Sequence, residues 1–377
     1  MSSITRAVAY LVDLPVEAVR SDAVQSFLKQ ETVFVEITTD DGAEGIGYSY
    51  TIGTGGSAVL ALLRDYLLPR LPGQDARRIE AIWQDLFAAT RATAVGAITS
   101  LALAAVDTAL WDLRGKQTGL PLWLLAGGAQ AEVPLYNTEV GWLHLTTDEL
   151  VAGARDAVAQ GHRGIKVKIG KPSATEDAER LAAVRTAVGP GVDLMVDANQ
   201  SMTAAEAVRR ARLLEPVNLL WLEEPLPADD IAGPAHLARS TSIPIAVGES
   251  LYSIGQFAQY VRHGAAGIVQ PDVARIGGVT PWLKVAHLAD AHNIAVCPHF
   301  LMEVHVSLAA AVPNGRYVEY IPQLTAITHG AQPSQTSQSS QPSQPSQTFQ
   351  NGTARPPRTP GLGIDWDRDA IAALRKE

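Results

Sequence analysis

Cysteine is nearly absent from this 377-residue chain: Cys297 is the only one, so no disulfide can form within it. An excess of positive charge is also missing, because the formal net charge is −9. No apolar run approaches the roughly 20 residues that span a bilayer, and residues 1–13 lack the apolar core of a signal peptide. These absences disfavour nucleic acid and membranes as partners, and they lead us to expect a cytoplasmic protein.

Short apolar runs, each ended by a polar residue, recur every 20 to 29 residues beyond residue 164. The residues that end them are Lys168, Asp197, Glu223, Glu249, Asp272, His299 and Glu319. Longer amphipathic segments separate the runs, an alternation typical of βαβ units and a parallel sheet. Polar side chains at the carboxyl ends of successive strands are the layout of a barrel active site. The pattern therefore predicts an α/β fold based on a (β/α)7-8 TIM-type barrel.

Two domains are predicted. An α+β capping domain is expected for residues 1–125, where apolar segments flank the hairpin signal Asp40-Asp41-Gly42. Helical spacing follows in this domain, including a long helix from Ala97 to Arg114 that we expect Gly115 to end. The barrel is expected for residues 126–322, and the C-terminal segment 323–377 should return to the capping domain.

A low-complexity insert occupies residues 329–357 of the C-terminal segment. Within it, residues 332–350 consist of Ser, Gln, Pro and Thr with the single exception of Phe349. Such a composition cannot bury enough apolar area to offset the entropy lost on ordering. We therefore expect residues 332–350 to form a disordered segment or a surface loop.

Three acids, Asp197, Glu223 and Glu249, end consecutive predicted strands. Three anions that converge repel one another unless a cation lies among them. Oxygen ligands of this kind suit Mg2+, whereas no histidine or cysteine cluster supports zinc. Glu224 competes with Glu223 as a ligand, but strand alternation sends neighbouring side chains to opposite sides. The alternative is three unrelated surface acids, which the even spacing disfavours.

Candidate proton-transfer groups flank these acids in the sequence. Lys166 and Lys168 lie two residues apart on one predicted strand, so both point into the barrel mouth, and their mutual repulsion should lower their pKa values. Asp272 and His299 end the next strands, where a carboxylate can fix the imidazole tautomer. Each of these four residues could instead be solvated or purely structural. Glu319 ends the last strand and alone is a weak signal, while Cys297 is expected in the core rather than as a nucleophile.

These motifs together resemble the mandelate racemase branch of the enolase superfamily. The matching motifs are Lys166-x-Lys168, Asp197 with Asn199, Trp221-Leu222-Glu223-Glu224-Pro225, Gly248-Glu249, Asp272 and Pro298-His299. The resemblance covers nearly the whole chain apart from the insert. It implies a barrel with a capping domain, and one Mg2+ held by Asp197, Glu223 and Glu249.

The resemblance also implies roles for the remaining groups. Lys168 is the base on one face of a carboxylate substrate, and Lys166 assists it and contacts the carboxylate. His299, paired with Asp272, is the acid or base on the other face. Glu319 steadies the enolate oxygen that forms when the α proton leaves.

The most similar activity is dehydration of an acid sugar, of the talarate/galactarate type, to a 2-keto-3-deoxy acid. In this family the connection from residue 15 to residue 30 closes over the substrate, and its Arg20, Asp22, Gln25 and Lys29 suit a polyol or a distal carboxylate. We expect Arg20, Asp22 and Asn199 to contact the substrate.

Two alternatives remain open. One is a racemase or epimerase that uses the same residues, and the other is a barrel that binds a ligand without turnover. A homo-oligomer is also expected.

Overall fold

The computed structural model describes residues 2–16, 18–93, 95–329, 348–350 and 352–376. In chain order the strands are β1 (Ile4–Leu14), β2 (Gln30–Thr39), β3 (Glu44–Thr51), β4 (Val133–Asn137), β5 (Gly164–Lys168), β6 (Asp193–Asp197), β7 (Trp221–Glu223), β8 (Ile245–Val247), β9 (Ile268–Val269), β10 (Ala295–Val296), β11 (Val318–Tyr320), β12 (Thr348–Gln350), β13 (Thr353–Arg355) and β14 (Arg375–Lys376).

The α-helices are α1 (Gly56–Leu62), α2 (Ile79–Ala89), α3 (Ala97–Thr118), α4 (Leu122–Leu125), α5 (Thr147–Ala159), α6 (Ala174–Val188), α7 (Ala204–Leu214), α8 (Ala232–Ala238), α9 (Ile254–Arg262), α10 (Val279–Asp290), α11 (Met302–Ala311) and α12 (Arg368–Leu374). Thr146 caps α5, because its hydroxyl accepts the Glu149 N–H.

The N-terminal sheet is antiparallel, with strand order β14-β1-β2-β3. The predicted hairpin joins β2 to β3, with Gly42 at a φ of 80°. Helix α3 packs on β3 so closely that a Cβ at Gly47 would lie 2.2 Å from the Ala105 carbonyl oxygen. The C-terminal tail returns to this sheet, because β14 pairs with β1.

Helix α3 is longer than the sequence predicts. It continues through Gly115 to Thr118 and ends at Gly119, which has a φ of 69°. The prediction that Gly115 ends the helix is therefore wrong. A Cβ at Gly115 would lie 2.5 Å from Gly361 Cα, so this glycine is needed for close packing of the C-terminal segment rather than for a turn.

The second sheet forms the barrel, and the predicted fold class is confirmed. Eight parallel strands run in the order β11-β4-β5-β6-β7-β8-β9-β10. An isolated parallel bridge between Val296 and Gly315 joins β10 to the segment that leads into β11, which completes the ring. Tyr136, Trp221 and Cys297 are buried in the interior below the mouth. Burial raises the pKa of the Cys297 thiol to about 12, which agrees with a core role.

The capping domain is anchored on the N-terminal end of barrel helix α10. Asp107 of α3 is buried and accepts hydrogen bonds from the Thr280 N–H at 2.8 Å and from the Thr280 hydroxyl at 2.7 Å. Trp83 donates its indole N–H to the Gly277 carbonyl oxygen. The predicted division after residue 125 coincides with the end of α4 and stays a prediction.

The predicted insert lies mostly outside the described residues, since 330–347 are not among them. The expectation of a loop through residue 350 is wrong for its last three residues. Thr348–Gln350 forms β12, which pairs with β13, and β13 adds to β4 antiparallel.

Within the described ranges, no helix has the length and apolar character that crossing a bilayer requires.

Replacing Gly115 with alanine should destabilise the protein, although alanine is ordinarily the better helix former by about 1 kcal/mol. The new methyl group would collide with the Gly361 backbone, and overpacking of this kind costs about 1–3 kcal/mol. Denaturant unfolding measures the change. Gly255→Ala in α9 is the control, since its Cβ would meet only Ser253 Oγ at 3.8 Å and should be neutral or stabilising. Equal effects of the two substitutions would contradict the packing argument.

Deleting residues 332–345 should leave kcat within a few-fold of the parent value, because the segment offers neither apolar nor ionisable side chains. A second deletion, 332–350, also removes β12 and should lower the unfolding temperature. Steady-state kinetics and thermal unfolding of both variants test this. A large loss of turnover in the shorter deletion, with an unchanged unfolding temperature, would show that the segment serves the site.

Candidate active site

The polar residues predicted to end the strands converge at one mouth of the barrel. Lys168 on β5 is paired in register with Asp197 on β6, and Asp197 with Glu223 on β7. Because the strands are parallel and in register, their carboxyl ends meet at the same edge. Glu249, Asp272 and His299 follow β8, β9 and β10 in the same way, and Glu319 lies on β11. All of these side chains are buried.

The three acids form a compact group. Asp197, Glu223 and Glu249 each offer a carboxylate oxygen, and these oxygens all lie within 4.8 Å of one another. Burial, followed by the negative charge of Asp197, raises the pKa of Glu223 to about 7. Glu249 Oε2 is buried without a hydrogen-bond partner among the described residues. An all-oxygen set with a spare buried acceptor fits Mg2+, whose bonds to oxygen measure about 2.1 Å.

Glu223 is oriented by its neighbours. Its Oε2 accepts hydrogen bonds from the indole N–H of Trp221 at 2.9 Å and from Gln270 Nε2 at 2.8 Å. Glu224 turns away, and its carboxylate contacts Gln200 and Ser250 instead. The geometry therefore favours Glu223 over Glu224 as the third acid of the group.

The two lysines contact these acids directly. Lys166 Nζ lies 2.8 Å from Glu223 Oε1 and 3.0 Å from Glu319 Oε1. Lys168 Nζ donates to Asp197 Oδ2 at 2.5 Å. Burial alone would lower both lysine pKa values, but the surrounding carboxylates outweigh it and raise them. The prediction that mutual repulsion lowers the two lysine pKa values is wrong. The carboxylates next to each ammonium raise its pKa by more than the charge of the other lysine can lower it.

Asp272 and His299 form a buried pair. His299 Nδ1 lies 2.9 Å from Asp272 Oδ2, which fixes the tautomer with Nδ1 protonated. Burial opposes charge on both groups. Even so, the hydrogen bond and charge of His299 lower the pKa of Asp272 to about 2, and Glu249 and Asp272 raise the pKa of His299. The other ring nitrogen, Nε2, faces Glu249 Oε2 at 3.5 Å.

Glu319 is held as a carboxylate. Burial favours its neutral form, but the charge of Lys166 outweighs this and keeps its pKa low. Oε1 accepts from the Thr138 hydroxyl at 2.6 Å, and Oε2 accepts from the Phe300 N–H at 2.9 Å. Phe300 has a φ of 59°, a left-handed conformation that is rare for a bulky residue and recurs at functional sites.

The residues in the connection between β1 and β2 differ in the contacts that they make. Asp22 is buried, and its carboxylate accepts the N–H groups of residues 24 and 25, so it orders its own loop. Arg20 makes a two-pronged contact with Glu139, with Nη2 to Oε1 at 2.6 Å. Lys29 pairs with Asp13 at 3.3 Å and with Glu31 at 2.9 Å in the capping domain.

Asn199 lies beside the acids. Its N–H donates to Asp197 Oδ1 at 2.9 Å. Its amide oxygen is buried and has no hydrogen-bond partner in the part of the chain that the structure describes. A buried acceptor without a partner at this place can accept a hydrogen bond from a hydroxyl group.

Three residues at the mouth were not predicted from the sequence. Tyr50 of β3 donates its hydroxyl to Asp272 Oδ2, and Arg275 donates to the Glu249 carbonyl oxygen at 3.0 Å. The Trp142 ring lies 5.4 Å from Lys168 Nζ. No local signal marks Tyr50, because its place depends on how the capping domain docks. Arg275 could have been suspected, since it follows Asp272 by three residues in the same loop.

Family comparisons cover almost the whole chain. Residues 7–127 match the family described as "Mandelate racemase / muconate lactonizing enzyme, N-terminal domain". Residues 149–370 match "Enolase C-terminal domain-like".

Among curated proteins, the chain is 39% identical to an L-talarate/galactarate dehydratase of Salmonella typhimurium, over 78% of this chain and 74% of that protein. It is also 39% identical to a 3,6-anhydro-alpha-L-galactonate cycloisomerase of Streptomyces coelicolor, over 80% of this chain and 85% of the relative.

Two solved structures are similar over nearly their full length. An L-talarate dehydratase from a Polaromonas species, complexed with Mg and L-glucarate, has a TM-score of 0.92 and 36% identity and covers 100% of this chain and 98% of its own. A racemase from Streptomyces coelicolor with bound magnesium has a TM-score of 0.91 and 35% identity, with coverage of 99% and 100%.

Mg2+ should raise the unfolding temperature of the parent protein but not that of Asp197→Asn, because the variant lacks one of the three carboxylates expected to bind the ion. A ligand at a hundred times its Kd stabilises a fold by about 2.7 kcal/mol, which thermal unfolding readily detects. Titration calorimetry gives the affinity directly. Asp193→Asn at the other end of β6 is the matched control and should bind Mg2+ as the parent does. Unchanged Mg2+ affinity in Asp197→Asn would rule out this group as the metal centre.

Proposed function

Because the chain belongs to the mandelate racemase/muconate lactonizing enzyme family of the enolase superfamily, we propose that it is a Mg2+-dependent hydro-lyase. Its reaction is removal of the proton α to a carboxylate, followed by loss of the β hydroxyl, which converts an acid sugar to a 2-keto-3-deoxy acid. The observation that carries the proposal is the placement of two proton-transfer groups at opposite ends of the acid group. Lys168 Nζ contacts Asp197, and His299 Nε2 faces Glu249.

Asp197, Glu223 and Glu249 would hold Mg2+. The bound ion supplies positive charge that offsets the three carboxylates and the negative charge developing on the substrate carboxylate. Lys166 adds a second positive charge at the same place, since its ammonium is buried between Glu223 and Glu319. Positive charge fixed where the enediolate develops lowers the barrier to proton removal.

Lys168 is the base in this proposal. Among the carboxylates that raise its pKa, Asp197 contributes most, ahead of Glu249 and Glu223, so neutralisation of the acid group would favour release of its proton. His299 is the acid that protonates the departing hydroxyl. Asp272 holds its Nδ1–H, which leaves Nε2 free to carry the transferred proton.

The substrate contacts are proposed from charge and position. Asn199 offers an unsatisfied amide oxygen to a hydroxyl, and Glu319 lies beside Lys166 at the carboxylate end. Asp22 and Arg20 would close the polar side of the pocket. The salt bridge of Arg20 to Glu139 makes the two together close to neutral, which suits hydroxyl groups.

Relatives support the acid-sugar class without fixing the sugar. Their names include dehydratases of talarate/galactarate, arabinonate and galactonate.

Racemisation or epimerisation is the second candidate, because two groups that can exchange protons flank the site and one similar structure is a racemase. A barrel that only binds a ligand has no need of both groups. We further propose a cytoplasmic homo-oligomer with a small carboxylate substrate as its partner.

His299→Asn and Lys168→Ala should separate the two steps for a substrate that the parent dehydrates. In D2O, His299→Asn should still exchange the α proton, because Lys168 remains, but should expel the hydroxyl far more slowly. Lys168→Ala should lose exchange and elimination together. Proton NMR follows exchange, and a keto-acid assay follows elimination.

The opposite pattern would reverse the two roles, with histidine as the base. Normal dehydration by both variants would contradict the two-group mechanism. Epimer formation without keto acid in the parent would favour the second candidate.

A further inference from the structure

Tyr50 reaches the barrel site from the capping domain. It lies near the end of β3, and its hydroxyl donates to Asp272 Oδ2 at 2.6 Å. Tyr50 is 2% exposed and Asp272 is fully buried. The same oxygen, Oδ2, also lies 2.9 Å from His299 Nδ1. One carboxylate oxygen therefore receives a tyrosine hydroxyl and an imidazole N–H.

The remaining contacts of Asp272 leave it little freedom. Its Oδ1 accepts the backbone N–H groups of Ala274 at 2.8 Å and Arg275 at 3.2 Å. With Oδ1 tied to the backbone, Oδ2 has two lone-pair directions to fill. Tyr50 occupies one, so the imidazole N–H is confined to the other.

The Tyr50 ring is itself held in place. It packs against the Phe300 ring with centroids 4.6 Å apart, and Phe300 in turn stacks on His299. The Arg275 guanidinium lies 5.8 Å from the Tyr50 centroid. The ring packing therefore fixes the position of the phenol oxygen, 2.6 Å from Asp272 Oδ2.

We propose that Tyr50 is a positioning residue of the reaction: through Asp272 it sets the plane and position of the His299 ring, so that the barrel's acid is complete only with the capping domain docked. This inference rests on the proposed function for its kinetic consequences. Its structural content, a hydroxyl and an imidazole sharing one carboxylate oxygen, does not depend on the substrate.

Tyr50→Phe removes the hydroxyl and keeps the ring. With a substrate that the parent dehydrates, elimination should fall about ten- to a hundredfold, the usual effect of removing a supporting hydrogen bond behind an active-site group. Exchange of the α proton in D2O through Lys168 should change by less than about threefold, and KM should stay close to the parent value, since Tyr50 does not contact the substrate in this proposal.

Tyr48→Phe is the matched control. Tyr48 lies two residues earlier on β3, is likewise 2% exposed, and has a buried hydroxyl without a partner among the described residues. Its substitution should leave both exchange and elimination unchanged. Equal kinetic behaviour of the two variants would overturn the inference, as would equal loss of exchange and elimination in Tyr50→Phe.

A spectroscopic measurement on the parent protein decides the structural content independently of turnover and of how the variants fold. Proton NMR should show the Tyr50 hydroxyl and the His299 Nδ1–H as downfield resonances connected by an NOE, because both point at Asp272 Oδ2. Absence of that NOE would overturn the inference. If the NOE is present but no acid sugar is dehydrated or exchanged, the proposed function fails while the positioning of His299 by Tyr50 stands.

Discussion

Three carboxylates buried within 4.8 Å of one another strongly disfavour their common ionised state unless positive charge lies close by. The rest of the site follows from that constraint. Lys166 and Lys168 are both buried and bonded to Glu223 and Asp197, and Arg275 lies 3.5 Å from the Glu249 carboxylate. Burial, followed by the charge of Asp197, raises the pKa of Glu223 to about 7, although Lys166 opposes the rise. A divalent cation is the natural completion of such a site, and its charge would change the balance that now holds each lysine as an ammonium.

The capping domain is part of the same arrangement rather than a separate cover. Asp107 fixes helix α3 to the start of α10 through the Thr280 N–H and hydroxyl. That contact sets where β3 lies relative to the mouth, because α3 packs directly on β3 with no room for a side chain at Gly47. Tyr50, farther along β3, is thereby delivered to Asp272. Domain docking and the geometry of the reacting groups are thus linked by continuous packing.

The strands and the ring of charged residues could be predicted because the signal is local. An apolar run that ends in a charged residue, such as the one before Asp197, is visible within a few residues of sequence. The regular spacing of such runs predicts the barrel. Features that depend on distant partners could not be predicted. Gly115 is of a residue type that often ends a helix, but it packs against Gly361, which lies more than 200 residues further along the chain. The pKa directions of the lysines were missed for the same reason, since they are set by carboxylates from other strands.

The two groups proposed to move protons are governed by different neighbours, and this asymmetry gives them unequal roles. Lys168 is bonded to Asp197, so its protonation depends on the charge within the acid group. His299 is bonded to Asp272, which lies outside that group and is fixed by two backbone N–H groups and by Tyr50. Neutralising the acids would remove the charges that raise the pKa of Lys168 and also the Glu249 charge that raises the pKa of His299, whereas the imidazole would keep its tautomer through Asp272. In the proposed dehydration, a base whose pKa depends on the acid group and an acid whose orientation depends on the capping domain would suit a reaction in which one face loses a proton and the other donates one.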